Sequence, residues 1–351
     1  MVPTTAEDFL QKVVADTGGM AVTILAAIGD RLGFFKDLSA AGPSTADRVA
    51  ARTGAHPRYI LEWLRAMVAA GYVDYDPRGE RFSLPDAHTP VLAEEGGALF
   101  VGGTHQMLLG MLSVLRPLQD AFRTGAGIPA EVYDNNTWEG MQRDMDGVYG
   151  TSLIQQWIPA MPAVKGKLEQ GATVADIGCG SGRTLILMAQ AFPKCTLVGY
   201  DVFAPVIERA TANALAAGVL ERVRFEVVDA AERIPEKFDL VTTFDVVHDA
   251  PRPLELLSQI RAALNPGGRY VCMDVNCSDK LEENVGTVAA LRYGFSVFYC
   301  LPTSLASGGE GLGTMGLPER KIRDLCKRAG FSSFRQVPLE GSIHSVYEAT
   351  R

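Results

Sequence analysis

A glycine-rich turn follows an apolar run in the stretch TVADIGCGSGRT, residues 173–184, with glycines at 178, 180 and 182. Glycine permits tight turns, and it lets a ligand approach the backbone where a Cβ would block it. A turn of this kind after the first strand of a parallel sheet lies at the carboxyl edge, where ligands bind. By itself the turn predicts no more than a nucleotide-like ligand.

Three acids accompany this turn. Asp201 ends the next apolar run and could accept hydrogen bonds from both hydroxyls of a ribose. Asp229, followed by Ala230, ends the third run and is placed to bind an adenine amino group, whereas Asp176 lies before the turn and could help to hold a cationic end. Acids in place of a basic phosphate cradle favour a positively charged nucleoside over a dinucleotide. The alternative for each acid is a helix N-cap or a solvated strand end.

A histidine and an acid, His248 and Asp249, follow the fourth apolar run in FDVVHDAPRP. They should therefore lie at the same edge as the glycine turn. Histidine has an ordinary pKa of about 6.5, which suits a general base at neutral pH. The alternative is a capping or structural histidine near a helix that begins around Pro253.

Apolar runs alternate with helical segments from residue 172 onward, which predicts strands over 173–178, 196–202, 223–230, 238–246, 268–275, 331–339 and 345–350. The clearest helices are predicted over 182–192, 204–217, 253–264 and 318–329. Strands rich in Val, Ile and Leu that alternate with helices indicate a parallel sheet covered on both faces. A short linker before the last strand makes it antiparallel. The fold class predicted is α/β, Rossmann-like, with a mostly parallel seven-stranded sheet.

The amino-terminal part has the outline of a winged helix. Ser44 or Thr45 can cap a helix over 46–52, and Pro57 suits the first turn of a second helix. The segment 72–84 then reads as a hairpin. We expect this module to pack or dimerise rather than to bind DNA, because residues 1–90 contain nine Lys/Arg against eleven Asp/Glu.

Residues 91–165 are predicted to be helical and rich in Met and aromatic side chains, some of which could line an apolar pocket. The domain boundaries expected are 1–90 for the winged helix, 91–165 for a helical linker with the substrate pocket, and 166–351 for the Rossmann-like domain. A glycine-rich segment over 294–316 is predicted to be a mobile cover. The candidate substrate-binding residues are Trp138, Met145, Tyr149 and Phe298.

Over residues 172–351 the chain resembles the class I S-adenosylmethionine-dependent methyltransferases, on five motifs in the family's order: VADIGCGSGR, LVGYDV, VVDAAE, FDLVTTFDVVHD and LNPGGRYV. The winged-helix outline resembles the plant-type small-molecule O-methyltransferases, in which this module forms a homodimer. The resemblance implies S-adenosylmethionine as the cofactor. It implies cofactor contacts at Asp176, Gly178, Cys179, Gly180, Asp201, Val202, Asp229, Ala230 and Phe244.

The same resemblance implies that His248 is the general base, because plant-type enzymes carry a similar His-Asp pair at this place. The chain departs from their pattern at Ala250, where those enzymes have Trp. The acidic partner of the histidine in those enzymes has no evident counterpart in the sequence.

Composition narrows the function further. A net charge of −8 argues against nonspecific binding of nucleic acid. The six cysteines form no CxxC pair and have no histidine at a ligand spacing, so no metal site or disulfide is expected. The first residues lack a secretory signal, so we expect a cytoplasmic protein that has no membrane partner.

The sequence thus predicts an enzyme that methylates a small, partly aromatic or apolar metabolite, whether on oxygen, nitrogen or carbon. One alternative is a noncatalytic or repurposed S-adenosylmethionine-binding protein, such as a regulator that uses the winged helix. Another is a methyltransferase that acts on protein or nucleic acid, which the negative charge disfavours.

Overall fold

The computed structural model describes residues 5–339 and 342–351. The chain divides into two compact units, which consist of Met1–Ser113 with Asp134–Val148 and of Val114–Tyr133 with Tyr149–Arg351. The region predicted as one helical linker, 91–165, is therefore shared between the units.

The first unit contains the winged helix. Its elements are α1 (Ala6–Arg31), α2 (Phe34–Ala41), α3 (Ala46–Thr53), α4 (Pro57–Ala69), β1 (Asp74–Asp76), β2 (Arg81–Ser83), α5 (Thr89–Leu92), α6 (Gly102–Met111) and the first part of α8 (Asn135–Ser152). The helix-turn-helix and hairpin are present as predicted. The predicted side-chain cap is wrong, because Thr45 is the N-cap of α3 but makes no side-chain capping bond. The Ser44 hydroxyl instead donates to the carbonyl oxygen of Gly42.

The core of this unit is built around α4. Its Trp63 lies edge-on to Phe34 and Phe35, with ring centroids 5.1 Å apart in both pairs. The indole nitrogen donates to the carbonyl oxygen of Leu25 at 2.8 Å. The apolar face of α4 thus packs against other helices of its own unit. Among the described residues, α1 is the one helix whose length and hydropathy would suffice for a membrane span, which is weak evidence for one.

The second unit contains a seven-stranded sheet in the order β5-β4-β3-β6-β7-β9-β8. Its strands are β3 (Thr173–Ile177), β4 (Thr196–Asp201), β5 (Val223–Val227), β6 (Phe238–Phe244), β7 (Leu264–Val275), β8 (Ser333–Val337) and β9 (His344–Thr350). β9 runs antiparallel to both β7 and β8. The predicted sheet and its antiparallel last strand are confirmed.

The helices of this unit are α7 (Leu115–Thr124), α9 (Pro162–Gln170), α10 (Arg183–Ala191), α11 (Ala204–Ala216), α12 (Pro253–Ala263), α13 (Thr287–Phe295), α14 (Leu301–Ala306) and α15 (Glu319–Ala329). The four clearest predicted helices correspond to α10, α11, α12 and α15, whereas α13 and α14 were not predicted. The strand order reverses between β3 and β6, so a crevice opens at the carboxyl ends of the central strands. This topology sets the turns after β3, β4, β6 and β7 along one edge.

The segment predicted as a glycine-rich cover is helical in its first half. A π-helical turn over Ser296–Cys300 joins α13 to α14, and such turns are common at functional sites. The glycines that follow are packed: a Cβ at Gly309 would lie 2.4 Å from the Cα of Pro251, and the Glu310 amide donates to the Pro251 carbonyl at 3.1 Å. The segment thus packs against the turn that carries His248. Its mobility stays a prediction.

Candidate active site

The glycine turn after β3 uses its glycines for two different purposes. Gly178 has a φ of 67°, and a Cβ there would lie 2.5 Å from a methyl group of Val246. Gly180 has a φ of 50°, but a Cβ there would meet no atom of the described chain within 4 Å. Gly178 is therefore needed for packing, whereas Gly180 leaves open space in which a ligand can approach the backbone. The neighbouring Cys179 is buried, at 7% exposure.

Asp201 at the end of β4 fixes this turn in place. Its carboxylate accepts hydrogen bonds from the amides of Gly180 at 3.1 Å and Phe203 at 3.0 Å. Burial raises the pKa of Asp201 above its ordinary value, while these backbone donors act in the opposite direction. The next residue, Val202, is 68% exposed. The acid predicted to bind ribose therefore lies beside the one glycine of the turn that faces open space.

The acid after β5 has partners of its own. Asp229 accepts from the Ala231 amide at 2.9 Å and pairs with Arg252 at 2.8 Å. Ala230 is buried beside it. Asp229 thus caps a turn and forms an ion pair, and its predicted contact with an adenine amino group stays a prediction.

Asp176 has a different environment from the one predicted. It lies at 2% exposure within β3 and accepts from the hydroxyls of Thr184 and Thr242. Burial raises its pKa to about 7. Each carboxylate oxygen of Asp176 accepts a hydrogen bond from one threonine, so Asp176 stabilises the sheet beneath the turn. This geometry does not favour direct contact with a cationic ligand.

His248 lies in the turn after β6 and is held by two carboxylates. Its Nδ1 is 2.6 Å from Oδ1 of Asp274, and its Nε2 is 3.2 Å from Oδ1 of Asp249. Burial lowers the pKa of His248, but the two carboxylates outweigh burial and leave this pKa well above its ordinary value. A buried imidazole oriented by a carboxylate is the arrangement of a general base.

Asp274 is a candidate site residue that the sequence motifs did not reveal. It is fully buried near the end of β7. Phe244 of β6 pairs with Met273 of β7, so the residues that follow them lie side by side at the active edge. The signal was present in the sequence, because the predicted fifth strand, 268–275, carries an acid at its carboxyl end.

Two further groups lie next to this pair. The Cys300 thiol is 3.7 Å from His248 Nε2 and 2.9 Å from the hydroxyl of Thr314. Asp245 has a φ of 54°, unusual for a residue other than glycine, and its Oδ2 is 3.4 Å from His344 Nε2. Backbone strain of this kind is concentrated at functional sites.

The aromatic candidates separate by unit. Phe244 contacts the rings of Tyr149 and Trp157, at 5.7 and 6.2 Å between centroids. Phe298 is half-buried, and its carbonyl oxygen accepts from the Tyr133 hydroxyl at 2.8 Å. Tyr149 and Phe298 belong to the second unit, whereas Trp138 and Met145 belong to the first. Their contact with a substrate stays a prediction.

Fold, turn and acids together define the class of protein. Residues 168–296 match the family described as "Methyltransferase domain", and residues 20–94 match the "Rv2258c-like winged HTH domain". The chain carries a class I S-adenosylmethionine-dependent methyltransferase domain, preceded by a winged helix-turn-helix domain. S-adenosylmethionine is the cofactor of this class. The open space at Gly180 beside the buried acid Asp201 suits such a cationic nucleoside.

Individual relatives agree with this assignment. The chain is 30% identical to the ubiquinone biosynthesis O-methyltransferase of Pseudomonas syringae pv. tomato, over 31% of the chain and 47% of that enzyme. It thus spans about half the length of that relative. It is 26% identical to the O-demethylpuromycin-O-methyltransferase of Streptomyces alboniger, over 85% of the chain and 78% of that enzyme.

A solved structure has the same fold. Human N-acetylserotonin methyltransferase in complex with SAM superposes with a TM-score of 0.73 at 18% identity, over 100% of this chain and 99% of that one. At this identity the similarity establishes the fold.

Proposed function

We propose that the protein transfers the methyl group of S-adenosylmethionine to a hydroxyl of a small, partly aromatic or apolar metabolite, with His248 as the general base. The observation that carries the proposal is the contact of His248, in the turn after β6, with Asp274 near the end of β7, at 2.6 Å. β6 lies next to β3, whose turn carries the glycines. The cofactor supplies an activated methyl group. The chain has to align the acceptor and remove its proton.

The geometry indicates how the proton moves. Asp274 holds the Nδ1 proton of His248, so the lone pair of Nε2 is free for the acceptor hydroxyl once Nε2 has lost its own proton. The proton passes to Nε2, and Asp274 stabilises the imidazolium that forms. His248 is 4% exposed, so water competes poorly for this position. Alignment of reacting groups can supply effective molarities of about 10⁵–10⁸ M, and this contribution adds to that of the base.

The names of the relatives support a hydroxyl acceptor. Two of them are O-methyltransferases, and the fold neighbour is named for methylation of N-acetylserotonin. The net charge of −8 argues against nucleic acid as the acceptor.

The proposal is tested by incubating the full chain with S-adenosylmethionine carrying a labelled methyl group and a panel of phenols, alcohols, amines and carbon acids. Label in a methyl ether formed from a hydroxyl acceptor, and its loss in His248→Ala, would support the proposal. Label only in amines or carbon acids would contradict a hydroxyl acceptor. Tight cofactor binding without transfer to any member would instead favour a noncatalytic cofactor-binding protein.

We also propose that the protein is a homodimer, with α1 forming a large part of the interface. Phe9, Leu10 and Val14 of α1 are 57%, 58% and 56% exposed. Leu10 and Val14 are four residues apart and so lie beside one another on a helix that is about 39 Å long, and Phe9 widens the exposed apolar surface. An apolar cleft of about 460 Å³ in the same unit is lined by Ile28 and Leu32 near the end of α1 and by residues of α4 such as Tyr59. Exposed apolar surface of this extent is typical of an interface between subunits.

Light scattering should give twice the chain mass of 37.7 kDa. The double substitution F9D/V14D should yield monomers, while Phe122→Asp, at a residue 75% exposed in the other unit, should not. A monomeric wild-type chain would contradict this proposal.

We further propose a cytoplasmic location with no nucleic-acid or membrane partner, which fractionation of cells that express the chain would test.

A further inference from the structure

Three side chains around His248 Nε2 could bind a metal. His248 Nε2, an oxygen of Asp249 and the Cys300 thiol sulfur all lie within 4.8 Å of one another. Nitrogen, carboxylate oxygen and thiolate sulfur are the three kinds of ligand that zinc takes in proteins. Asp249 and Cys300 come from different segments, so local spacing in the sequence does not bring them together.

Two distances from His248 Nε2 suit a tetrahedral ion such as zinc. Zinc bonds of about 2.3 Å to sulfur and about 2.0–2.1 Å to nitrogen and oxygen, at tetrahedral angles, require about 3.6 Å between S and N and about 3.4 Å between N and O. The observed distances from His248 Nε2 are 3.7 Å to Cys300 Sγ and 3.2 Å to Asp249 Oδ1. Both distances are therefore within a few tenths of an ångström of those that a zinc ion requires.

The surroundings of the cluster are those of a zinc site. Histidine ligands of zinc usually donate their other ring nitrogen to a carboxylate, which fixes the ring. Asp274 has this role at His248 Nδ1, at 2.6 Å. Asp249 Oδ1 is buried, and its 3.2 Å contact with His248 Nε2 does not have hydrogen-bond geometry, so this oxygen has capacity for a cation.

A second set of donors, Asp245, His248 and Asp274, is equally compact. Metal binding there through Nδ1 would break the 2.6 Å bond between His248 and Asp274. Binding through Nε2 preserves that bond. The geometry therefore favours the set with Cys300.

We propose that His248, Asp249 and Cys300 form a zinc-binding site, and that zinc bound there inhibits methyl transfer. On binding, the Cys300 thiol and the protonated Nε2 of His248 each release one proton to solvent, and the Nε2 lone pair binds the metal. That lone pair can no longer accept the proton of a hydroxyl, so zinc binding and base catalysis exclude each other. The inhibitory part rests on the proposed function, whereas metal binding itself does not.

Binding is measured first, on the full chain freed of metal by a chelator and dialysed. Titration with Zn²⁺ against a chromogenic chelator should show one ion per chain, and Cys300→Ser should weaken it at least tenfold. Cys195→Ser is the matched control, because Cys195 is also buried but donates to the Leu168 carbonyl at 3.2 Å, a bond that serine can make. Equal affinity in Cys300→Ser and wild type, or no binding by wild type, would overturn the site.

Cobalt gives a readout on the unmutated chain. Co²⁺ should bind at the same site with sulfur-to-metal charge-transfer absorption, which Zn²⁺ displaces; bound Co²⁺ without that absorption would exclude Cys300 as a ligand. In turnover assays, one equivalent of Zn²⁺ should inhibit and a chelator should restore activity. Full activity with zinc bound would overturn the inhibition. Zinc binding through Cys300 in a chain that transfers no methyl group would leave the site standing and refute the proposed function alone.

Discussion

The turn after β3 and the turn after β6 lie at the same edge of the sheet but are built differently. The first is made of backbone: glycine amides and open space, braced by the single side chain of Asp201. The second is made of side chains, with His248 held by acids of its own turn and of β7. A site made of backbone depends on a local pattern, whereas a site made of side chains depends on segments that meet only in the fold.

The largest effect is expected at His248, in the turn after β6. His248→Ala should lower turnover by about 10²–10⁴ while cofactor affinity changes little, because the base acts on the acceptor. Wild-type turnover should rise with pH through the raised pKa of His248, since the protonated ring cannot accept a proton. This rise of turnover with pH should be absent in His248→Ala and His248→Asn. Rates are measured with a chelator present, and near-wild-type turnover of a hydroxyl acceptor by His248→Ala would refute the base.

Substitutions at the glycine turn after β3 should change the affinity for the cofactor. Asp201→Ala should weaken the binding of S-adenosylmethionine by roughly 2–3 kcal/mol, about 30- to 150-fold, because it removes both the predicted ribose contacts and the brace on Gly180. Asp239→Ala is the control, since Asp239 also accepts a backbone amide, that of Thr173, but at the opposite end of the strands. Calorimetry that gives equal affinities for these two variants would contradict the predicted role of Asp201.

Asp274→Asn tests whether the orientation of His248 matters beyond its presence. We expect turnover to fall about 10- to 100-fold, part of the contribution of the base. Loss of the buried carboxylate should also lower the pKa of His248 and move the rising limb of the pH profile to lower pH. Asp274→Glu should recover part of the activity. An unchanged pH profile in Asp274→Asn would show that Asp274 has a structural role only.

The smallest effect on cofactor binding is expected at the two glycines of the turn after β3, which also differ in their effect on stability. Gly178→Ala should destabilise the fold by about 2–4 kcal/mol, because its Cβ would lie 2.5 Å from Val246 in left-handed backbone. Gly180→Ala should cost about 1–2 kcal/mol from backbone strain alone. It should also weaken cofactor binding about tenfold. Denaturant unfolding and calorimetry measure both quantities, and a larger stability loss in Gly180→Ala would reverse our interpretation.

Patterns along the chain predicted the strands of the sheet because a buried parallel strand needs a continuous apolar run and each run here is bounded by turn residues. The observed strands Thr173–Ile177 and Thr196–Asp201 lie within one residue of the predicted ones. The winged helix was equally predictable, since its helices begin and end at proline and glycine. The side-chain cap of α3 was not, because the Ser44 hydroxyl found another acceptor.

Local sequence also determined the glycine turn after β3, Asp201 that holds it and His248 in the turn after β6. Each of these features is fixed by its position at the end of a strand. Tertiary structure alone decided which groups meet there. Asp274 reaches His248 because β6 and β7 are neighbours in register, and Cys300 reaches it because the helical segment after β7 packs against the turn. Asp176, in contrast, lies among threonines of the interior. Distances between side chains that are far apart in sequence depend on packing, which no local pattern encodes.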